Sequence, residues 1–139
     1  MANANKRKGD AAERKVRDLA VSRYPGSFKT RAGFDDDLGD VIVNHPAGRV
    51  VLQVKDVAQP TWKKWFNQLR AQVATCTSHS LPHVTVGGAI VHKARGVGDA
   101  GQWRAVMPLD DLFYLLDEVH ERGVDMGHRQ ARGLDWSHG

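Results

Sequence analysis

The chain has 139 residues, 41% of them hydrophobic and 26% charged, with a formal net charge of +4. That length holds one domain with one core, and the composition excludes a disordered or fibrous chain. No apolar run approaches the ~20 residues that cross a bilayer, and the basic start up to Arg17 lacks the apolar stretch of a secretory signal, so an intracellular protein is expected (cytoplasmic, or in a host cell if phage-encoded).

Residues 1–9 read as a flexible basic arm carrying Lys6, Arg7 and Lys8. A first helix is predicted from Asp10, whose carboxylate suits a cap. Ala12, Val16, Leu19 and Ala20 give it an apolar face, and Tyr24-Pro25-Gly26 ends it. Residues 27–32 form a strand candidate and 33–39 a loop. Nine basic and three acidic residues lie between Met1 and Phe34. The sign then reverses, with Asp35, Asp36, Asp37 and Asp40 before the next basic residue, Arg49. A basic surface beside an acidic pocket suits a protein that holds phosphates with one and a divalent metal with the other.

Asp40–Asn44 and Arg49–Asp56 are rich in Val and Ile and are separated by His45-Pro46-Ala47-Gly48, which predicts a hairpin. Gln53 and Lys55, two apart, share a face of the second strand, and Val54 takes the other. Pro60 opens a second helix, with Trp62, Trp65, Phe66, Leu69 and Val73 as its stripe. The lone Cys76 excludes an internal disulfide and reads as a buried or neutral thiol. Cys76, His79 and His83 have a zinc-like rhythm, but there is no fourth ligand nearby and Pro82 interrupts it. A strand within 82–91, a basic glycine-rich loop over 92–101 and a strand over 102–107 follow. A last helix carries Leu109, Leu112, Phe113, Leu116 and Val119 and ends at Gly123, leaving 124–139 as a tail. The expected domain is therefore 10–123, an α/β layered fold with a mixed sheet and the order αβββαββα.

Three short stretches stand in a telling order: KRKGDAAERKVRDLA with Glu13, KTRAGFDDDLGDVIV with Arg31 and Asp40, and VVLQVKD with Gln53 and Lys55. Together they resemble the PD-(D/E)XK nuclease superfamily, most of all the archaeal-type Holliday junction resolvases. The resemblance covers roughly residues 6–75. Gly39 stands where that family often has Pro, a change that touches only the turn. Gln53 stands where it usually has Glu or Asp, and a Gln oxygen can bind a hard cation without bringing charge.

The resemblance implies a restriction-endonuclease-like three-layer fold and a Mg²⁺-dependent endonuclease of branched DNA, with Mn²⁺ as a substitute, acting as a homodimer. It implies catalytic roles for Glu13, Asp40, Gln53 and Lys55. The metal would be held by Asp40, Gln53, Glu13 and the backbone carbonyl of Val54, with Lys55 beside the attacking water and Arg31 on a phosphate. Gln68 on the second helix is a further candidate. Lys63 and Lys64 with Trp62 and Trp65, and the loop residues Lys93 and Arg95, join Lys6, Arg7 and Lys8 as candidate DNA contacts. Each residue alone has a plainer reading: Glu13 paired with Arg17 one turn on, Asp40 as a turn residue, Lys55 as a strand-end lysine. Two other functions stay open: a nicking or restriction-type enzyme of the same superfamily, and a DNA-binding protein of the same fold without catalysis.

Overall fold

The Val- and Ile-rich segments pair as their composition demands. Strands β2 (Val41–His45) and β3 (Gly48–Lys55) form an antiparallel hairpin, with Val41 opposite Leu52 and Val43 opposite Val50. In this computed structural model, residues 4–30, 38–79 and 84–130 are described, with side chains over 6–30, 38–79 and 84–121. Strand β1 (Phe28–Lys29) borders β2 antiparallel, β4 (Thr85–His92) runs parallel to β3, and β5 (Arg104–Val106) closes the far edge antiparallel to β4. The sheet order is β1-β2-β3-β4-β5.

Both faces of this mixed sheet are covered. Helix α1 (Ala4–Arg23) buries Ala12, Val16 and Ala20 against Val41, Val54, Val91 and Trp103. Helix α2 (Trp62–His79) buries Trp65, Leu69 and Cys76 against Ile42, Val51 and Ile90 on the opposite face. Alternation along β3 follows: Val51 and Gln53 turn to α2, Leu52 and Val54 to α1. Helix α3 (Leu109–Gln130) packs on β4. The chain is thus an α/β protein with a five-stranded mixed sheet flanked by three helices, in the order expected from the sequence. No helix among the described residues is long and apolar enough to cross a membrane.

Three boundaries differ from expectation. The helix expected from Asp10 already begins at Ala4, so residues 4–9 are helical and not an arm, and Asp10 is internal rather than a cap. Lys6, Arg7 and Lys8 favour helix, and Gly9 opposes it by only ~1 kcal/mol. For the same reason Gly123 does not end α3, which runs to Gln130 through the first part of the expected tail. The strand expected over 27–32 is only Phe28–Lys29. Ser27 instead serves the turn: its Oγ donates to the Tyr24 carbonyl at 2.7 Å and accepts from the Asn44 N–H at 2.9 Å. Arg31, the Asp35–Asp37 run and His83 lie outside the described residues.

Candidate active site

Asp40 sits where β2 begins. Gly39 before it has φ of +92°, and a Cβ there would come 2.6 Å from Val51 Cγ1. Only glycine takes that backbone without strain, and proline, locked near −65°, cannot take it at all. The Gly39 position therefore constrains more than a turn. Asp40 donates its N–H to the Leu52 carbonyl at 2.9 Å and accepts at its own carbonyl from the Thr30 N–H at 3.0 Å. These bonds fix its backbone between β1 and β3.

Beyond Asp40 the strand β2 has ended while β3 continues, and among the described residues no strand pairs with that edge of β3. The Asp40 carboxylate takes that place: the Val54 N–H donates to Asp40 Oδ2 at 2.7 Å. The N–H and C=O of one strand residue point to the same side, so the Val54 carbonyl faces the same opening. Glu13, half-buried on α1, approaches from above the sheet and shares a side-chain hydrogen bond with Asp40. Its pKa rises from 4.5 to about 7, first because burial penalises the charge and then because of the Asp40 carboxylate. Lys29 on β1 acts in the opposite direction and Asp10 adds to the rise.

Gln53 is buried at 2% exposure on the α2 side of β3. Its Nε2 donates to Gln72 Oε1 at 2.9 Å, while its own Oε1 is buried with no hydrogen-bond partner. A Cβ built on Gly39 would lie 3.5 Å from Gln72 Oε1, so the amide pair backs onto the Gly39–Asp40 turn. Lys55 shares the Gln53 side and holds its ammonium 5.5 Å from the Trp65 ring centroid. Glu13, Asp40 and the Val54 backbone are thus gathered at one opening, with Gln53 behind it. Lys55 lies on the α2 side, against an aromatic ring.

The residues expected to contact DNA divide in the same way. Asp56, just past β3, pairs with Lys8 of α1 at 3.7 Å and Lys93 after β4 at 3.5 Å. These cations therefore collect at the carboxyl ends of the parallel strands, the end where Asp40 stands and where open α/β sheets commonly bind ligands. Lys6, Arg7 and Arg95 are exposed. Trp65 is core, and Trp62 packs edge-on against it and stacks on Phe66. Lys63, Lys64 and Gln68 are exposed and line an open groove with Thr61, Trp62 and Asn67. Gln68, expected to face the site, does not lie on the buried face of α2; Gln72 does. The buried positions Trp65, Leu69, Gln72 and Cys76 follow helical spacing, so that periodicity was the signal for Gln72. Asp56 and Lys29 were also missed, and neither stands in a pattern that marks it. Cys76 is buried and receives a hydrogen bond from Thr85 Oγ1 at 3.4 Å.

Among the described residues no group of three or more His, Cys, Asp or Glu could hold a metal ion. The two touching carboxylates, where burial and the Asp40 charge raise the Glu13 pKa to about 7, nevertheless form a pair of oxygen donors deficient in positive charge. That suits a hard cation such as Mg²⁺, which takes one or two carboxylates and keeps several waters. Compared with protein-family models, with curated proteins and with solved structures, the chain matches none.

Proposed function

We propose that the chain is a Mg²⁺-dependent endonuclease of branched DNA, of the PD-(D/E)XK type, whose α/β layers follow the restriction-endonuclease-like arrangement. The observation that carries this reading is the pairing of Glu13 with Asp40 at the end of the sheet where Lys8 and Lys93 also converge. Asp40, Glu13, the Val54 carbonyl and Gln53 Oε1 would hold Mg²⁺, or Mn²⁺ in its place. When bound, the ion relieves charge on a phosphoryl oxygen and makes a nearby water more acidic.

The chain's own residues supply the rest. The Val54 N–H orients the Asp40 carboxylate. Gln72 holds the Gln53 amide so that Oε1 is left as the available acceptor. Lys55 packs against Trp65 on the α2 side, and turned toward the opening its ammonium would favour the deprotonated form of an attacking water. Lys6, Arg7, Lys8, Lys93 and Arg95 at the sheet end, and Lys63 and Lys64 on α2, hold phosphates, and Arg31 joins them from outside the described residues. A homodimer would present two such sites to two strands of a junction.

The specific test is cleavage of four-way junction, forked and linear duplex DNA in Mg²⁺ and in Mn²⁺. Cutting confined to the junction supports the proposal, and cutting of linear duplex at fixed sequences supports a restriction-type enzyme. Binding without cutting in either metal supports a second reading, a DNA-binding protein of this fold without catalysis. The neutral Gln53, where a third carboxylate would bring charge, favours that reading.

A further inference from the structure

Helix α3 turns its apolar side away from the molecule. Leu109 is 64% exposed, Leu116 54% and Phe113 52%, and Leu112 and Val119 are exposed beside them. The half-buried positions in the same stretch are Asp111, Leu115 and Glu118. Two of these three are acidic, so the helix does not use most of its apolar surface to pack on the sheet. Together the five exposed side chains present roughly 450 Å². That matches the largest patches on ordinary monomers, ~300–600 Å², and is more than half of the ~800 Å² each partner gives to a stable interface.

The spacing says what kind of surface covers it. Leu109, Leu112, Leu116 and Val119 are separated by three, four and three residues, the a/d seam of one helix against another. The charge says what does not cover it. From Leu109 to Glu121 there are five acidic residues (Asp110, Asp111, Asp117, Glu118 and Glu121) and no Lys or Arg. Nucleic acid and anionic lipid are repelled by such a helix, although the chain as a whole is basic. A second copy of the chain supplies a helix with the same seam, and a closed pair buries both patches in one step.

We infer that α3 is the surface through which two copies of this chain pair, seam against seam. The inference concerns the pairing that a junction nuclease needs, but it stands on α3 alone and not on the nuclease reading. Asp110, Asp117 and Glu121 lie off the seam and stay exposed, and the basic residues around Asp40 stand on other elements.

The test is the molar mass of the full chain in solution at tens of micromolar, by sedimentation or light scattering. The wild type should have twice its 15.4 kDa chain mass. The double variant Leu112→Asp/Leu116→Asp should be monomeric, with a dimer dissociation constant raised at least ~100-fold. Both side chains are exposed, so its circular dichroism should match wild type. Val21→Asp, exposed on α1, should remain dimeric. Independently, Leu116→Cys should be captured as a covalent dimer by a short bis-maleimide, with the buried Cys76 silent. A monomeric wild type, or a dimer indifferent to the double substitution and not captured through position 116, overturns the inference. A dimer that cuts no DNA leaves it standing and removes only the nuclease reading.

Discussion

The Val54 backbone N–H binds Asp40 Oδ2 at 2.7 Å, so a carboxylate completes the hydrogen bonding of a strand whose neighbour has ended. This bond does two things at once: it satisfies β3 at the edge β2 leaves and it fixes the direction of the Asp40 side chain. Asp40→Asn keeps an acceptor oxygen for Val54 but removes the charge. The variant should fold with near-wild-type stability and bind DNA as well as wild type, while single-turnover cleavage falls on the order of 10²–10³-fold. Cleavage at the wild-type rate would remove Asp40 from the centre of the site.

Glu13 makes the site's behaviour depend on pH. Its pKa of about 7 lies above its ordinary 4.5, so the folded state holds a proton that the unfolded chain has already released. Stability contributed in this way is complete below about pH 4.5 and is lost as pH rises to about 7. Thermal unfolding without metal should therefore fall across that window, and Glu13→Gln should flatten the slope. Divalent-ion binding displaces the same proton, so affinity should rise with pH over the same range and release up to about one proton per site. Calorimetry in buffers of different ionisation enthalpy reads that proton. Equal pH slopes in wild type and Glu13→Gln would contradict the pairing with Asp40.

Gln53→Glu places a third carboxylate where the amide oxygen has no partner. Gln72 can turn its amide to donate to it, so the fold should persist. Without metal the added charge at this buried position should lower the melting temperature. With Mg²⁺ the affinity should rise roughly 10- to 100-fold, since an added ligand charge strengthens binding of a hard cation. A variant that is destabilised and gains no affinity would assign Gln53 a purely structural role.

Gly39→Ala should cost about 1–3 kcal/mol in urea unfolding, because alanine pays for a positive φ and meets Val51 Cγ1. Cleavage should fall with it, since the same turn delivers Asp40. An unchanged unfolding midpoint would mean that the turn relaxes freely.

Periodicity made the element order legible. The Val-rich hairpin from Val41 to Lys55 and the stripe from Trp62 to Val73 stand out because burial on one face imposes a repeat on the chain. The side assigned to Gln53 against Val54 followed from strand alternation alone. Ends were less legible: Asp10 reads as a cap and Gly123 as a stop, yet helices with good formers around these positions pass through both. Within the site, Glu13 and Asp40 were visible as a motif. The Gln53–Gln72 bond was not, because it joins residues on different elements and depends on how closely α2 approaches the Gly39 turn. The Lys55 contact with Trp65 was hidden for the same reason: residue spacing gives the face a side chain occupies, not the neighbour it meets there.

The most direct measurement of the central claim is anomalous scattering from crystals of the full chain soaked in Mn²⁺. A single strong peak between the Glu13 and Asp40 carboxylates, within reach of the Val54 carbonyl and lost in Asp40→Asn, is the expected result. Manganese bound elsewhere, with those two carboxylates still sharing a proton and no ion, would contradict it.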